Sequence, residues 1–100
     1  MYVVKESNYF SKWLERLKDV KGKVAILRRL KRVQAGNLGD VKSISEDIKE
    51  LRFTTGPRYR IYFTIKDDKI ILLLIGGDKS SQKRDIEKAK EILKELLWVN

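Results

Sequence analysis

The sequence predicts an α+β domain: one strand and two helices, a three- to four-stranded antiparallel meander, and a C-terminal helix. Three observations carry that order. Apolar residues recur with a helical period from Phe10 to Leu17 and again from Val20 to Val33. They alternate with a period of two from Leu51 to Ile65. From Ile70 to Ile75 they run unbroken, and a second helical period follows from Ile86 to Leu97.

Each element has its own local cause. Tyr2 to Val4 reads as a short opening strand. Ser7 caps a helix whose Phe10, Trp13, Leu14 and Leu17 fall on one face. Asp19 caps a second, with Val20, Val24, Leu27, Leu30 and Val33 on its apolar face and Gly36 as a left-handed terminator. Gly36 to Asp40 is a turn-rich loop. From Ile48 to Thr54, Leu51 and Phe53 point inward and Glu50 and Arg52 outward, as in a half-buried strand. Thr55-Gly56-Pro57 turns the chain, and Tyr59, Ile61, Phe63 and Ile65 then alternate with Arg60, Tyr62 and Thr64. Lys66 to Lys69 closes a second hairpin, with Asp67 and Asp68 as turn formers. Ile70 to Ile75 suits a central strand covered on both sides, and Gly76 to Ser81 a loop into the last helix. No repeat or linker interrupts the chain, so residues 1–100 are expected to form one domain. Such a domain buries roughly two-thirds of its unfolded surface.

Composition removes whole classes of chemistry. The chain has no cysteine and no histidine. A disulfide framework, a thiolate metal site, a Ser-His-Asp triad and the usual zinc ligands are therefore excluded. Catalysis must use Lys, Arg, Tyr, Ser, Asp or Glu, and no metal or cofactor is expected. The longest apolar run, Ile70 to Ile75, is too short to cross a bilayer, and no basic-then-apolar signal opens the chain. The expected location is the cytoplasm.

Net charge is +9, and it is unevenly spread. Residues 1–42 hold eleven Lys/Arg against four Asp/Glu, and residues 43–100 twelve against ten. Lys21, Lys23, Arg28, Arg29, Lys31 and Arg32 follow one another on the second helix with no acid among them. Such a stripe suits a polyanion, because each phosphate contact releases counterions. Pairing across the Gly56-Pro57 turn would set Arg52 opposite Arg60, with Tyr62 beside them. Two like charges so placed cost stability unless an anion lies between them. That anion is either a bound phosphate or a carboxylate of the chain, Glu50, Glu46 or Asp78. Lys79 sits in the Gly-Gly loop near the same sheet end. Ser80 and Ser81 read as helix caps, Trp13 as core, and Trp98 as part of a terminal tail.

Several strings carry a resemblance: Phe10-x-x-Trp13-Leu14-x-x-Leu17-Lys18-Asp19, Gly36-Asn37-x-Gly39-Asp40, Glu50-Leu51-Arg52, Gly56-Pro57-x-Tyr59-Arg60-Ile61-Tyr62-Phe63 and Gly76-Gly77-Asp78-Lys79-Ser80-Ser81-Gln82, with Asp85-Ile86 and Ala89 behind them. Over nearly its whole length the chain resembles the addiction module killer protein family, the HigB-like toxins of the RelE/ParE superfamily. The resemblance implies a RelE-like fold and a type II toxin held inactive by a cognate antitoxin, often a helix-turn-helix protein. It implies mRNA cutting on the translating ribosome without a metal, leaving a 2′,3′-cyclic phosphate and a 5′-hydroxyl. The ParE branch instead poisons DNA gyrase, and fold alone does not separate the two.

On this resemblance Arg60 binds the scissile phosphate, Arg52 supports it, and Lys79 protonates or stabilises the 5′-oxygen. Tyr62 orients the 2′-hydroxyl or stacks on a base, and the basic second helix holds ribosomal RNA. The sequence departs from the pattern at three places. Glu50 stands where some relatives carry a cation, Arg58 replaces an expected glycine, and the last helix has neither histidine nor tyrosine. The general base stays open, a neutral lysine among the options. Two rival functions remain: a gyrase inhibitor, and a non-catalytic nucleic-acid-binding module.

Overall fold

Capping residues set the first half of the fold. In the structure, a computed structural model that describes residues 1–99 (97–99 by backbone only), strand β1 spans Val3–Glu6. Ser7 then accepts a hydrogen bond from the Phe10 amide at 3.1 Å and starts helix α1, Asn8–Arg16. Its hydroxyl also donates to the Leu74 carbonyl at 2.7 Å, so one buried serine both begins the helix and pins it to the sheet. Asp19 starts helix α2, Val20–Gln34, by accepting from the Gly22 amide at 3.1 Å. Gly36, at φ +98°, reverses the chain after α2 as its position predicts.

The remaining strands are β2 (Val41–Ser43), β3 (Lys49–Arg52), β4 (Tyr59–Lys66) and β5 (Ile70–Asp78). A single 3-10 turn, Lys79–Ser81, leads into helix α3, Gln82–Val99. The five strands form one sheet in the order β1-β5-β4-β3-β2. β2 to β5 make the expected antiparallel meander, and β1 joins β5 in parallel.

Both faces of the sheet are covered, as expected for Ile70 to Ile75 but not for β3, which the alternation reads as half-buried. α1 and α2 lie over one face, with Phe10, Ile26, Leu30, Leu51, Ile61 and Phe63 in the core beneath them. α3 lies over the other, where Ala89 and Ile92 pack on Ile48, Tyr62 and Leu74. Glu50, expected to point outward, is buried and held by Gln82 of α3, and Arg60 and Tyr62, which share its face, are buried with it.

β2, just after the expected Gly36–Asp40 loop, is the fourth strand of the meander, and its three residues gain their order from pairing with β3. Two further differences have local causes. Gly76, Gly77 and Asp78 continue β5 rather than forming a loop. A Cβ at Gly76 would collide with the Trp13 ring, and one at Gly77 with the Asp85 carboxylate, so these glycines admit α1 and α3 to the two faces. On α2 the buried residues are Gly22, Ile26, Leu30 and Val33, while Val20, Val24 and Leu27 are exposed. The helix is thus rotated from the face that periodicity suggests. Trp98 falls within α3 rather than in a tail, and its side chain lies outside the described residues.

Candidate functional site

The β3–β4 register brings Arg52 directly opposite Arg60 and Glu50 opposite Tyr62, as the period of two requires. The anion between the arginines is the chain's own Glu50. Its Oε1 lies 3.9 Å from Arg52 Nε and 4.0 Å from Arg60 Nη1. Its Oε2 accepts a hydrogen bond at 2.9 Å from Gln82, in the first turn of α3. Glu50 is fully buried and the Arg60 side chain is 6% exposed, whereas that of Arg52 is 40% exposed. Arg52 also approaches Asp40, at 4.0 Å.

Both ion pairs are long, and the cluster is incompletely satisfied. Glu50 Oε1, Arg52 Nε, Arg60 Nε and the Tyr62 hydroxyl are buried without a well-formed hydrogen bond. Four such atoms within one cluster are unusual, because each costs about 1–3 kcal/mol unless something pairs with it. Burial, foremost, and the Glu50 charge push the Tyr62 hydroxyl far above its ordinary range. It is therefore a hydrogen-bond donor, never a base, at neutral pH.

The β5 end completes the arrangement. Gly77 pairs with Arg60 and Asp78 with Tyr59, so Lys79 lies just past the strand position beside Arg60. Lys79 is exposed. Asp78 and Ser81 form a capping box, and Ser81 also donates to Asp85, so Ser81 takes part in capping as expected, while Ser80 only donates to Asp78, which is the cap itself. Burial raises the Asp85 carboxyl above the ordinary range, with Ser81 opposing it. Trp13, partly buried, packs on Phe10 and edge-on to Tyr59 at the margin of the core.

The basic stripe divides into exposed members and members bound to the fold. Lys21, Arg28, Lys31 and Arg32 are exposed. Lys23 is half-buried and donates to the Glu15 carbonyl at 3.2 Å. Arg29 is a latch: its guanidinium donates to the carbonyls of Leu38, Arg52 and Asp40 at 3.0, 3.0 and 2.9 Å. It also lies 5.0 Å above the Phe53 ring. Gly39, at φ +71°, lets the loop close over it, since a Cβ there would press on the guanidinium at 3.0 Å. Burial, foremost, and the neighbouring Arg32 lower the Arg29 pKa.

Sequence reasoning missed two participants, Gln82 and Asp85, while Glu50 is one of the three carboxylates it offered as the anion between the arginines. The Gly77-x-x-x-Ser81-x-x-x-Asp85 spacing was the available signal for Asp85, a bare strand position facing one helix turn. Among the described residues no group of three or more His, Cys, Asp or Glu could hold a metal ion. No described helix is long and apolar enough to cross a membrane.

Comparison with known proteins adds three findings. A family model described as "Phage derived protein Gp49-like (DUF891)" matches residues 12–96. An uncharacterized protein of Haemophilus influenzae is 43% identical over 93 residues, which are 93% of this chain and 94% of that protein. Among solved structures, the intact RelBE toxin–antitoxin complex of E. coli contains a chain, RelE, with the same fold. The TM-score is 0.64 at 15% identity, covering 78% of this chain and 96% of that one.

Proposed function

The chain belongs to the phage-derived Gp49-like family, and from that premise we propose that it is the toxin of a type II toxin–antitoxin pair. On this reading it is a HigB-like mRNA endonuclease that acts on the translating ribosome and is silenced by a cognate antitoxin of the helix-turn-helix type. The observation that carries the reading is the facing pair Arg52 and Arg60, bridged by a buried carboxylate and flanked by Lys79 at the next strand's end.

The reaction these groups suit is transesterification within RNA. The 2′-hydroxyl oxygen attacks the adjacent phosphorus, the bond to the 5′-oxygen breaks, and a 2′,3′-cyclic phosphate and a 5′-hydroxyl result. Arg60 stabilises the negative charge that grows on the phosphoryl oxygens. Lys79 delivers a proton to the departing 5′-oxygen. Tyr62, protonated throughout, orients the 2′-hydroxyl. Glu50, beside Arg60, takes that hydroxyl's proton on this reading, in a chain without histidine. Because Arg60 and Glu50 are covered by α3 and Gln82 holds Glu50, substrate entry requires the first turn of α3 to part from the sheet. The exposed Lys21, Arg28, Lys31 and Arg32, with Lys23 beside them, suit ribosomal RNA.

The test is 5′-end mapping of a reporter mRNA in a translating extract, with wild type and Arg60→Gln compared. New 5′-hydroxyl ends within the reading frame, absent with Arg60→Gln, are expected. Intact mRNA at a dose that arrests growth would overturn the nuclease reading and direct attention to DNA gyrase.

A further inference from the structure

A pocket of about 390 Å3 opens between α1 and β5, lined by Tyr9, Lys12, Trp13, Arg16, Leu17 and Ile75. No carboxylate is among them. The sheet itself makes the opening. β1 follows β5 only as far as Glu6, opposite Leu73, so Ile75 has no strand on its outer side. Just there Leu74 is passed over in the pairing, since Phe63 meets Leu73 and Tyr62 meets Ile75, and such a bulge bends the strand. α1 packs on β5 with Tyr9, Lys12, Trp13 and Arg16 at i, i+3, i+4 and i+7, one face of the helix. Both rings on that face are fixed. The Tyr9 hydroxyl donates to Glu95 at 2.7 Å, and Lys88 Nζ stands 4.9 Å from the centre of its ring. Trp13 rests on the bare backbone of Gly76, where a Cβ would collide with it. Lys12 and Arg16 are exposed, and among the described residues neither has an ion pair. Two like charges one helical turn apart cost stability unless an anion joins them.

We infer that this pocket binds a single nucleotide, its base against the Trp13 and Tyr9 rings and its phosphate held by Lys12 and Arg16. A planar base packs well on aromatic rings whatever its identity. The Arg16 guanidinium presents paired N–H donors to two phosphate oxygens, and Lys12 adds a point charge. A volume of about 390 Å3 lies in the range of small-molecule sites and leaves no room for a helix of a partner protein. The pocket is separate from the arginine pair: Ile75 lies opposite Tyr62, so β4 stands between it and Glu50 of β3. No residue of α2 lines it. The same chemistry admits a free mononucleotide or one unstacked nucleotide of a strand. Neither requires that the chain cut RNA.

The test is an NMR titration of the isotope-labelled full chain with AMP, followed at the Trp13 indole N–H and the α1 amides. Trp98→Phe assigns the two indole signals. Saturable shifts confined to α1 and to Ile75 and Gly76 are expected. Adenosine, which lacks the phosphate, and ribose 5-phosphate, which lacks the base, should each bind at least about tenfold more weakly. K12Q/R16Q should weaken AMP binding about tenfold. K66Q/K69Q, an equal charge change at exposed positions of the β4–β5 turn, should stay within about twofold of wild type. Dispersed spectra verify that each variant is folded. No saturable shift up to about 10 mM AMP would overturn the inference. So would ribose 5-phosphate binding as well as AMP, equal losses in the two double variants, or shifts centred on Arg28 and Arg32. Tighter binding of a 2′-O-methyl trinucleotide through the same signals would support the pocket and identify a strand as the source. Equal or weaker binding would support it with a free mononucleotide as the source. AMP binding by a wild type that leaves reporter mRNA intact would support the pocket and sink the nuclease proposal alone.

Discussion

Arg52 and Arg60 stand directly opposite each other on adjacent strands, and the carboxylate that makes this tolerable is Glu50, two residues before Arg52 on the same strand. Residues two apart on a strand share a face, so Glu50 reaches both guanidinium groups from one side. One cation of the bridged pair is half open to solvent and the other is covered by α3. The same contact that stabilises the sheet thus divides the arginines into an outer and an inner one.

Glu50→Gln leaves Arg60 buried without its counter-charge and is expected to cost about 3 kcal/mol. In the double variant E50Q/R60Q most of that loss should return, since neither charge is then stranded. Urea unfolding of the single and double variants measures the coupling. Additive losses would show that the 3.9–4.0 Å approaches carry little energy.

Lys79→Ala is expected to lower RNA cutting about 100-fold or more, as loss of a general acid does. Its side chain is exposed, so stability should change by less than about 0.5 kcal/mol. Quantified primer extension beside a melting curve separates the two. Full cutting by Lys79→Ala would exclude it from proton transfer.

Arg29→Gln should destabilise the fold by about 2–3 kcal/mol, because three carbonyls lose a charged donor and the 37–40 loop loses its anchor. Arg28→Gln, one position earlier and exposed, should stay within about 0.5 kcal/mol of wild type. Faster hydrogen exchange at Gly39 to Val41 in Arg29→Gln alone would complete the picture; similar stability of the two variants would refute the latch.

The Tyr59 hydroxyl donates to Asp19 at 2.7 Å, and burial, foremost, with that carboxylate raises its pKa from 10.0 to about 12. A raised folded pKa means that the contribution is fully present below about pH 10 and lost as pH rises towards about 12. Wild type should therefore lose stability over that window relative to Tyr59→Phe. Parallel alkaline profiles of the two proteins would contradict this.

Arg58 holds φ +62°, in the left-handed region where a Cβ is strained. Arg58→Gly relieves the strain and should stabilise the protein by about 0.5–1 kcal/mol, after glycine's greater unfolded entropy is subtracted. A rise of a few degrees in Tm is the expected reading. A fall would mean that the Arg58 side chain contributes more than its backbone costs.

Most elements, the caps of α1 and α2 and the pairing of β3 with β4 are legible in the sequence. Ser7, Asp19 and Gly36 bound the first two helices through contacts within a few residues, and such local contacts are legible in one dimension. Period-two spacing around Gly56-Pro57 likewise fixed Arg52 opposite Arg60. Only the tertiary structure decided which of these residues meet solvent. α3, whose apolar face was plain, could have been drawn anywhere; its docking on the second sheet face buries Glu50, Arg60 and Tyr62 and admits Gln82 and Asp85. The rotation of α2, which exposes Val20, Val24 and Leu27, follows from where Gly22 meets Tyr59. Burial depends on contacts between residues distant in the chain, and periodicity specifies a face without specifying what covers it.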